Sequence, residues 1–428
     1  MRYEPLPPKF HAQNRQRLSE AIGQEAIAII DTADVLSRPG DFEYPFRPDS
    51  NFYYLTGIDE SEAILVLAPG HPNKRLREIL FLRETNDFIA LWAGRRLTQE
   101  EAAARSGIQT VLWLEEYTSI MDHILPDFRT IYLNAESQLA PGPLSPSARR
   151  ARLLKQKLPM HELRSCVGIL GEARTVKAPV EIEQIRRAID ITAAGLQAAW
   201  STLRPNLPEY ALEAELTAEF TRRGATGSGF SAIVATGKNT TVIHSVTDAT
   251  KIGKTDLVLT DVGAEAGYYA ADISRTVPAS GQFTPRQRAV YEAVYRTQQA
   301  AIALHKPGTS ILEIDNEIRK RLLKETVSLG LITAAQAKSS EGNRLLSKYY
   351  PHTSHHLGLD VHDTGDRATI LKPGMVVTCE PGLYLPEEGI GVRLEDDILI
   401  TETGYEVLSK AIPSAPDDIE AMIGDYQK

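Results

Sequence analysis

Four histidines fall within eleven residues of the stretch PHTSHHLGLDVHD: His352, His355, His356 and His362, out of ten in the whole chain. Imidazole is the commonest neutral metal ligand, so a cluster of this kind raises the question of which anions stand near it. Two other stretches supply candidates. In DLVLTDVGAEAGYYAADISRT, Asp261 ends an apolar run and Asp272 follows eleven residues later. Reversal of the chain about Ala266–Gly267 makes the two carboxylates opposed partners on one face, with Cβ atoms roughly 5 Å apart. In TCEPGLYLPEEGIGVRLEDDILI, reversal about Glu387–Glu388 places Glu380 opposite Glu395, and Arg393 two residues away on the same face. Both glutamates adjoin runs apolar enough to be buried, and a buried carboxylate is rare without a partner.

Opposed carboxylates repel unless a cation or a proton lies between them. Four of them are balanced better by two divalent ions than by one, and paired ions are a recurrent hydrolytic device. Oxygen donors with a single imidazole favour a hard ion such as manganese, with cobalt or zinc also compatible.

These residues must be held by elements that the sequence also outlines. EAIAII, AILVLAP and REILFLR read as strands and TQEEAAARSG as a helix, which makes the first part an α/β domain. The Pro/Ser/Gly-rich AESQLAPGPLSPSARR reads as a loop within it. A helix start follows at Pro179, with Ile182, Ile185 and Ile189 on one face. The boundary is set just before it, giving residues 1–172 and 173–428. The second part mixes long helices with β segments and reads as α+β with antiparallel hairpins.

Composition limits the partners. A formal charge of -9 with no long basic run argues against nucleic acid, and no apolar stretch approaches the ~18 residues of a membrane span. Two cysteines, Cys166 and Cys379, give no disulfide framework and fit a reducing, cytoplasmic setting.

The order Asp261, Asp272, a histidine in SHHLGLDVHD, Glu380 in CEPGLY and Glu395 in GVRLEDD resembles the pita-bread metallopeptidases, and within them aminopeptidase P and prolidase. FRPDSNFYYLTGIDESEAILVLAP and LWAGRR resemble the N-terminal domain of aminopeptidase P, and LSKAIP its tail, so the likeness spans nearly the whole chain. It implies an α/β N-terminal domain followed by an α+β pita-bread catalytic domain, assembled as a homodimer or homotetramer. It further implies that Asp261 chelates one ion, that Asp272 and Glu395 bridge both, and that one histidine and Glu380 complete the other. Anchored on LGLDVHD, the ligand histidine is His355. His352 lies three residues before it where the family spacing is four, which leaves His356 as the alternative.

The same resemblance gives His362 a role at the scissile carbonyl and Glu380 that of general base. His244, His352, Tyr384 and Trp92 fall at the substrate pocket, Trp92 reaching it from another subunit. Arg393 is expected to orient the carboxylate of Asp272 or Glu395. The expected reaction removes an N-terminal residue from a peptide whose second residue is proline, by way of a hydroxide between two metal ions. A prolidase restricted to dipeptides shares all this chemistry; a non-catalytic binding protein on the same fold would be expected to lack the ligands.

Overall fold

The computed structural model describes residues 3–135, 144–350 and 354–426. The chain divides into two compact units, one of Pro5–Ala173 and the other of Met1–Glu4 with Arg174–Lys428.

In the first unit, six strands form one mixed sheet: β1 (Ala26–Asp31), β2 (Ile64–Leu67), β3 (Glu78–Leu82), β4 (Thr110–Trp113), β5 (Thr130–Leu133) and β6 (Glu162–Ser165), in the order β4-β3-β2-β1-β5-β6. Strand β1 is buried along its whole length, as its unbroken apolar run requires of a central strand. Ile27, Ile29, Val66, Ile79, Phe81 and Ile131 form the core with Ile124 and Phe128. Thr98 and Glu101 make a capping box at the start of helix Gln99–Ser106, which ends at a left-handed Gly107. The segment expected as a loop is corrected at its end. Ser145 caps helix Pro146–Lys157, so Pro146–Arg150 are helical, the proline serving as a first-turn residue. Residues 136–143 of that segment lie outside the described residues.

The second unit opens with helix Pro179–Ser201, whose Ile185 and Ile189 are buried. Its strands are β7 (Gly227–Ser228), β8 (Ile233–Thr236), β9 (Leu257–Val262), β10 (Ala264–Ala266), β11 (Tyr269–Ala270), β12 (Ile273–Pro278), β13 (Val376–Cys379), β14 (Gly382–Leu385), β15 (Ile390–Arg393), β16 (Asp396–Ile400) and β17 (Tyr405–Val407). All pairings among them are antiparallel.

Two long hairpins organise the site. In the first, β9 pairs with β12 and β10 with β11, and the reversal lies at Gly267–Tyr268, both with positive φ (55° and 70°), rather than at Ala266–Gly267. Asp261 is therefore opposite Ser274, and Asp272 sits two residues along the same strand direction, a diagonal rather than a direct neighbour of Asp261. A shift of two residues keeps the side-chain face unchanged, so both carboxylates still share it. In the second hairpin the pairs Cys379–Asp396 and Gly382–Arg393 bracket Glu380 and Glu395, which face each other as reversal about Glu387–Glu388 requires. The hairpins are stitched together: Glu395 N donates to Ser274 O at 3.1 Å, and Thr276 Oγ1 accepts from Arg393 N at 3.2 Å.

Candidate metal centre

Where the ladders of both hairpins are interrupted, four carboxylates meet. Asp261, Asp272, Glu380 and Glu395 are all buried, between 1% and 8% exposed. Asp272, His355 and Glu395 each offer one ligand atom within 4.8 Å of the others. His355 Nε2 lies 3.3 Å from Asp272 Oδ2 and 3.6 Å from Glu380 Oε1. Its other ring nitrogen, Nδ1, is 3.0 Å from His356 O, which leaves Nε2 as the atom facing the acids.

His355 is positioned by the backbone. Its N–H donates to Thr378 Oγ1 at 3.1 Å and its carbonyl accepts from Thr378 N at 2.9 Å, so this segment runs as an added strand beside β13. Alternation along an extended segment then sends His356 the opposite way. His356 is buried, bridged to Asp363 and Val377. Burial, with Lys177 beside it, lowers its pKa to about 4.

The second layer was not anticipated in detail. Arg393, 2% exposed, pairs through Nη2 with Asp261, not with Asp272 or Glu395 as expected. The two-residue shift of the first hairpin explains this, since it leaves Ser274 where Asp272 was placed. Arg393 Nε donates to Ser274 Oγ at 2.7 Å, and Ser274 Oγ donates to Glu395 Oε2 at 2.7 Å, so the guanidinium reaches Glu395 through a hydroxyl. Tyr384 does not line the cavity; its buried hydroxyl accepts from Arg393 Nη1 at 2.7 Å. Thr378 Oγ1 and Ser354 N both donate to Glu380 Oε1, at 3.0 and 2.6 Å. Asp397, fully buried, accepts from Asp272 N at 3.2 Å. Ser274, Thr378 and Asp397 were missed because a polar residue in an alternating strand reads as solvent-facing. The one available signal was their spacing of two from a proposed ligand.

A cavity of about 850 Å³ opens on these groups. His244 and His362 line its wall, and the ring of His362 meets that of His355 edge-on with centroids 4.4 Å apart. Trp92 belongs to the first unit, on the short helix Asp87–Ala93, where it is 79% exposed. His352 lies outside the described residues.

Do the residues present suit a metal? Asp261 Oδ1, Glu395 Oε1 and Asp397 Oδ1 are buried and have no hydrogen-bond donor among the described residues. Burial, then the Asp261 charge, raises the Asp272 pKa from its ordinary 3.8 to about 7, and burial with Asp272 pushes Glu395 well up. Burial works against charge on His355, but its hydrogen bond to Asp272 and the Glu380 charge outweigh it and raise the imidazole to about 9. Without metal the cluster thus holds protons to offset its anions. The donor set fits divalent cations.

A pH dependence follows. A cation must displace protons from Asp272 and His355, so its affinity is expected to rise with pH up to about 9. Both folded-state pKa values are raised, so their contribution to metal-free stability is fully present at low pH. It is lost as pH rises, through about 7 for Asp272 and about 9 for His355. The Tm gap between metal-loaded and metal-free protein is expected to widen from pH 5 to pH 9. A gap that is flat or narrows over that range, measured by thermal denaturation with and without a chelator, sinks the idea.

Comparison with known proteins places this geometry. Residues 183–402 match metallopeptidase family M24, and residues 11–132 match the aminopeptidase P N-terminal domain. The chain belongs to metallopeptidase family M24, and its second unit has the pita-bread fold behind an aminopeptidase P-type N-terminal domain; enzymes of this class are hydrolases dependent on divalent metal. It is 36% identical to the Xaa-Pro aminopeptidase of Escherichia coli (strain K12), over 96% of each chain. It is 32% identical to human Xaa-Pro aminopeptidase 3, over 96% of this chain and 85% of that one. Zinc-substituted E. coli aminopeptidase P in complex with product superimposes with a TM-score of 0.89 at 32% identity, covering 99% of this chain and 100% of that chain. Among the described residues, no helix is long and apolar enough to cross a membrane.

Proposed function

We propose that this protein is an Xaa-Pro aminopeptidase that holds two divalent ions, manganese by preference, through Asp261, Asp272, His355, Glu380 and Glu395. The observation that carries the reading is the convergence of these five side chains on one cavity wall, with buried oxygens lacking donors. Agreement with Xaa-Pro aminopeptidases over nearly the full length supports it. The oxygen-rich donor set favours a hard ion.

When bound, the ions supply water of lowered pKa and polarise the scissile carbonyl. Glu380 accepts the proton of the attacking water and passes it towards the leaving nitrogen. That proton matters because the bond before proline is a tertiary amide whose nitrogen carries no hydrogen of its own. His362, on the cavity wall, donates to the developing oxyanion, and His244 contributes to the substrate surface. Arg393 pairs with Asp261 and aims its carboxylate, and holds Glu395 through Ser274. Assembly into dimers or tetramers belongs to the same reading, with exposed Trp92, Phe88 and Leu91 offered by one short helix. So does a cytoplasmic setting, supported by two buried free thiols.

The test is product analysis on metal-stripped protein restored with manganese, cobalt or zinc. Release of the N-terminal residue from an Xaa-Pro-Y tripeptide is expected. Cleavage confined to the Xaa-Pro dipeptide would make the protein a prolidase, and no cleavage with any of the three ions overturns the hydrolytic reading.

A further inference from the structure

Behind the His355–His362 loop, and outside the ligand set, lies a buried cluster of three charges. The Asp363 carboxylate, 1% exposed, pairs through Oδ1 with Arg174 Nη2 at 2.5 Å and through Oδ2 with Lys177 Nζ at 3.1 Å. Arg174 Nη2 also reaches Asp360 Oδ2 at 2.7 Å. Both cations are almost fully buried, their side chains 4% and 1% exposed. Charges withdrawn from water in this way are costly unless they are paired, and two cations on one carboxylate leave the loop little freedom.

The loop is wound tightly over the cluster. Asp363 N donates to His356 O at 2.9 Å, Gly358 N to Asp360 O at 3.1 Å, and Ala270 N to Gly358 O at 2.9 Å. Gly358 leaves no room for a side chain: a Cβ there would stand 2.2 Å from Asp363 Oδ2 and 2.9 Å from Lys177 Cε. The residue immediately before Asp363 is His362, whose ring is solvent-exposed on the cavity wall and meets His355 edge-on. The chain on its C-terminal side is fixed at Asp363, by the hydrogen bond to His356 O and by the two ion pairs.

We infer that Arg174, Lys177 and Asp363 form a positioning cluster that sets His362 at the cavity wall, so that the cluster governs turnover while touching neither substrate nor metal. The inference rests on the function proposed above and on the role given there to His362. An ion triad anchoring the loop resists displacement when a substrate pushes on the imidazole. That is the property a donor to a developing charge requires, since misplacement by a fraction of an ångström forfeits transition-state stabilisation.

The experiment is a double-mutant cycle on the manganese-loaded full chain, using an Xaa-Pro-Y peptide, with K177M, H362A and the pair together. K177M is expected to lower kcat about 10-fold or more, with KM and manganese affinity held within about 3-fold and K177R restoring most of the loss. In the H362A background K177M is expected to add less than about 2-fold, because both changes remove one interaction. A merely structural role predicts the opposite: losses that multiply, or a fall in metal affinity. G358A, which crowds the cluster while keeping its charges, decides by the same criteria if K177M does not fold. Wild-type protein inert on every Xaa-Pro peptide overturns the proposed function. H362A with unchanged kcat overturns the role of His362, and a slow H362A beside an unimpaired K177M and G358A overturns the positioning cluster alone.

Discussion

Replacing Glu380 by glutamine is expected to lower kcat on an Xaa-Pro-Y peptide about 10³-fold, within the range set by losing a general base. The substitution keeps the shape of the side chain and its acceptor oxygen. That oxygen is held by Ser354 N and Thr378 Oγ1, so the amide should sit where the carboxylate did. It loses the ability to carry a proton from water to the proline nitrogen. KM is expected to change little, because glutamine preserves the shape of the side chain and its acceptor oxygen. Metal content measured on the same sample separates the two duties proposed for Glu380. Full occupancy with lost turnover identifies the proton carrier, whereas lost occupancy assigns the effect to ligation. Turnover retained within tenfold at full occupancy would remove Glu380 from the mechanism.

The second large effect is expected on stability. Arg393→Met strips the buried guanidinium from Asp261, Tyr384, Ser274 and the Ile243 carbonyl at once. It leaves Asp261 beside Asp272 without a counter-charge. Breaking a buried pair from one side costs about 3–5 kcal/mol, and that loss is expected in denaturant unfolding of the metal-free protein. Excess manganese is expected to recover part of it by supplying positive charge at the same place. Arg393→Lys keeps the charge without the planar fork, and its stability should fall between the two. A metal-free R393M protein within 1 kcal/mol of the parent would show that the Asp261 pair is not what holds this region together.

The four carboxylates were legible because paired acids at the ends of apolar strands demand a common partner. Glu380 and Glu395 could be set in register from the PEEG turn alone. The first hairpin was harder. Its turn uses Tyr268 at positive φ, and nothing in a tyrosine announces that conformation, so its register came out two residues short. That slip preserved the shared face of Asp261 and Asp272 but misassigned the partner of Arg393. The strand order of the N-terminal sheet was not legible either. The central β1 pairs with β2 on one edge and with the distant β5 on the other, and periodicity carries no information about non-local pairing. Which histidine faces the acids depends on the pairing of His355 with Thr378, a contact set by tertiary structure and foreshadowed only by spacing.

The stitching of the two hairpins also bears on how the enzyme matures. Asp261 and Asp272 come from one hairpin, Glu380 and Glu395 from another far along the chain, and His355 from the loop ahead of the second. No short stretch carries the full set, which spans residues 261–395, and contacts this distant in sequence form late and slowly. Capture of metal is therefore expected at the end of assembly, and ion uptake by a newly made chain is expected to report completion of its second unit.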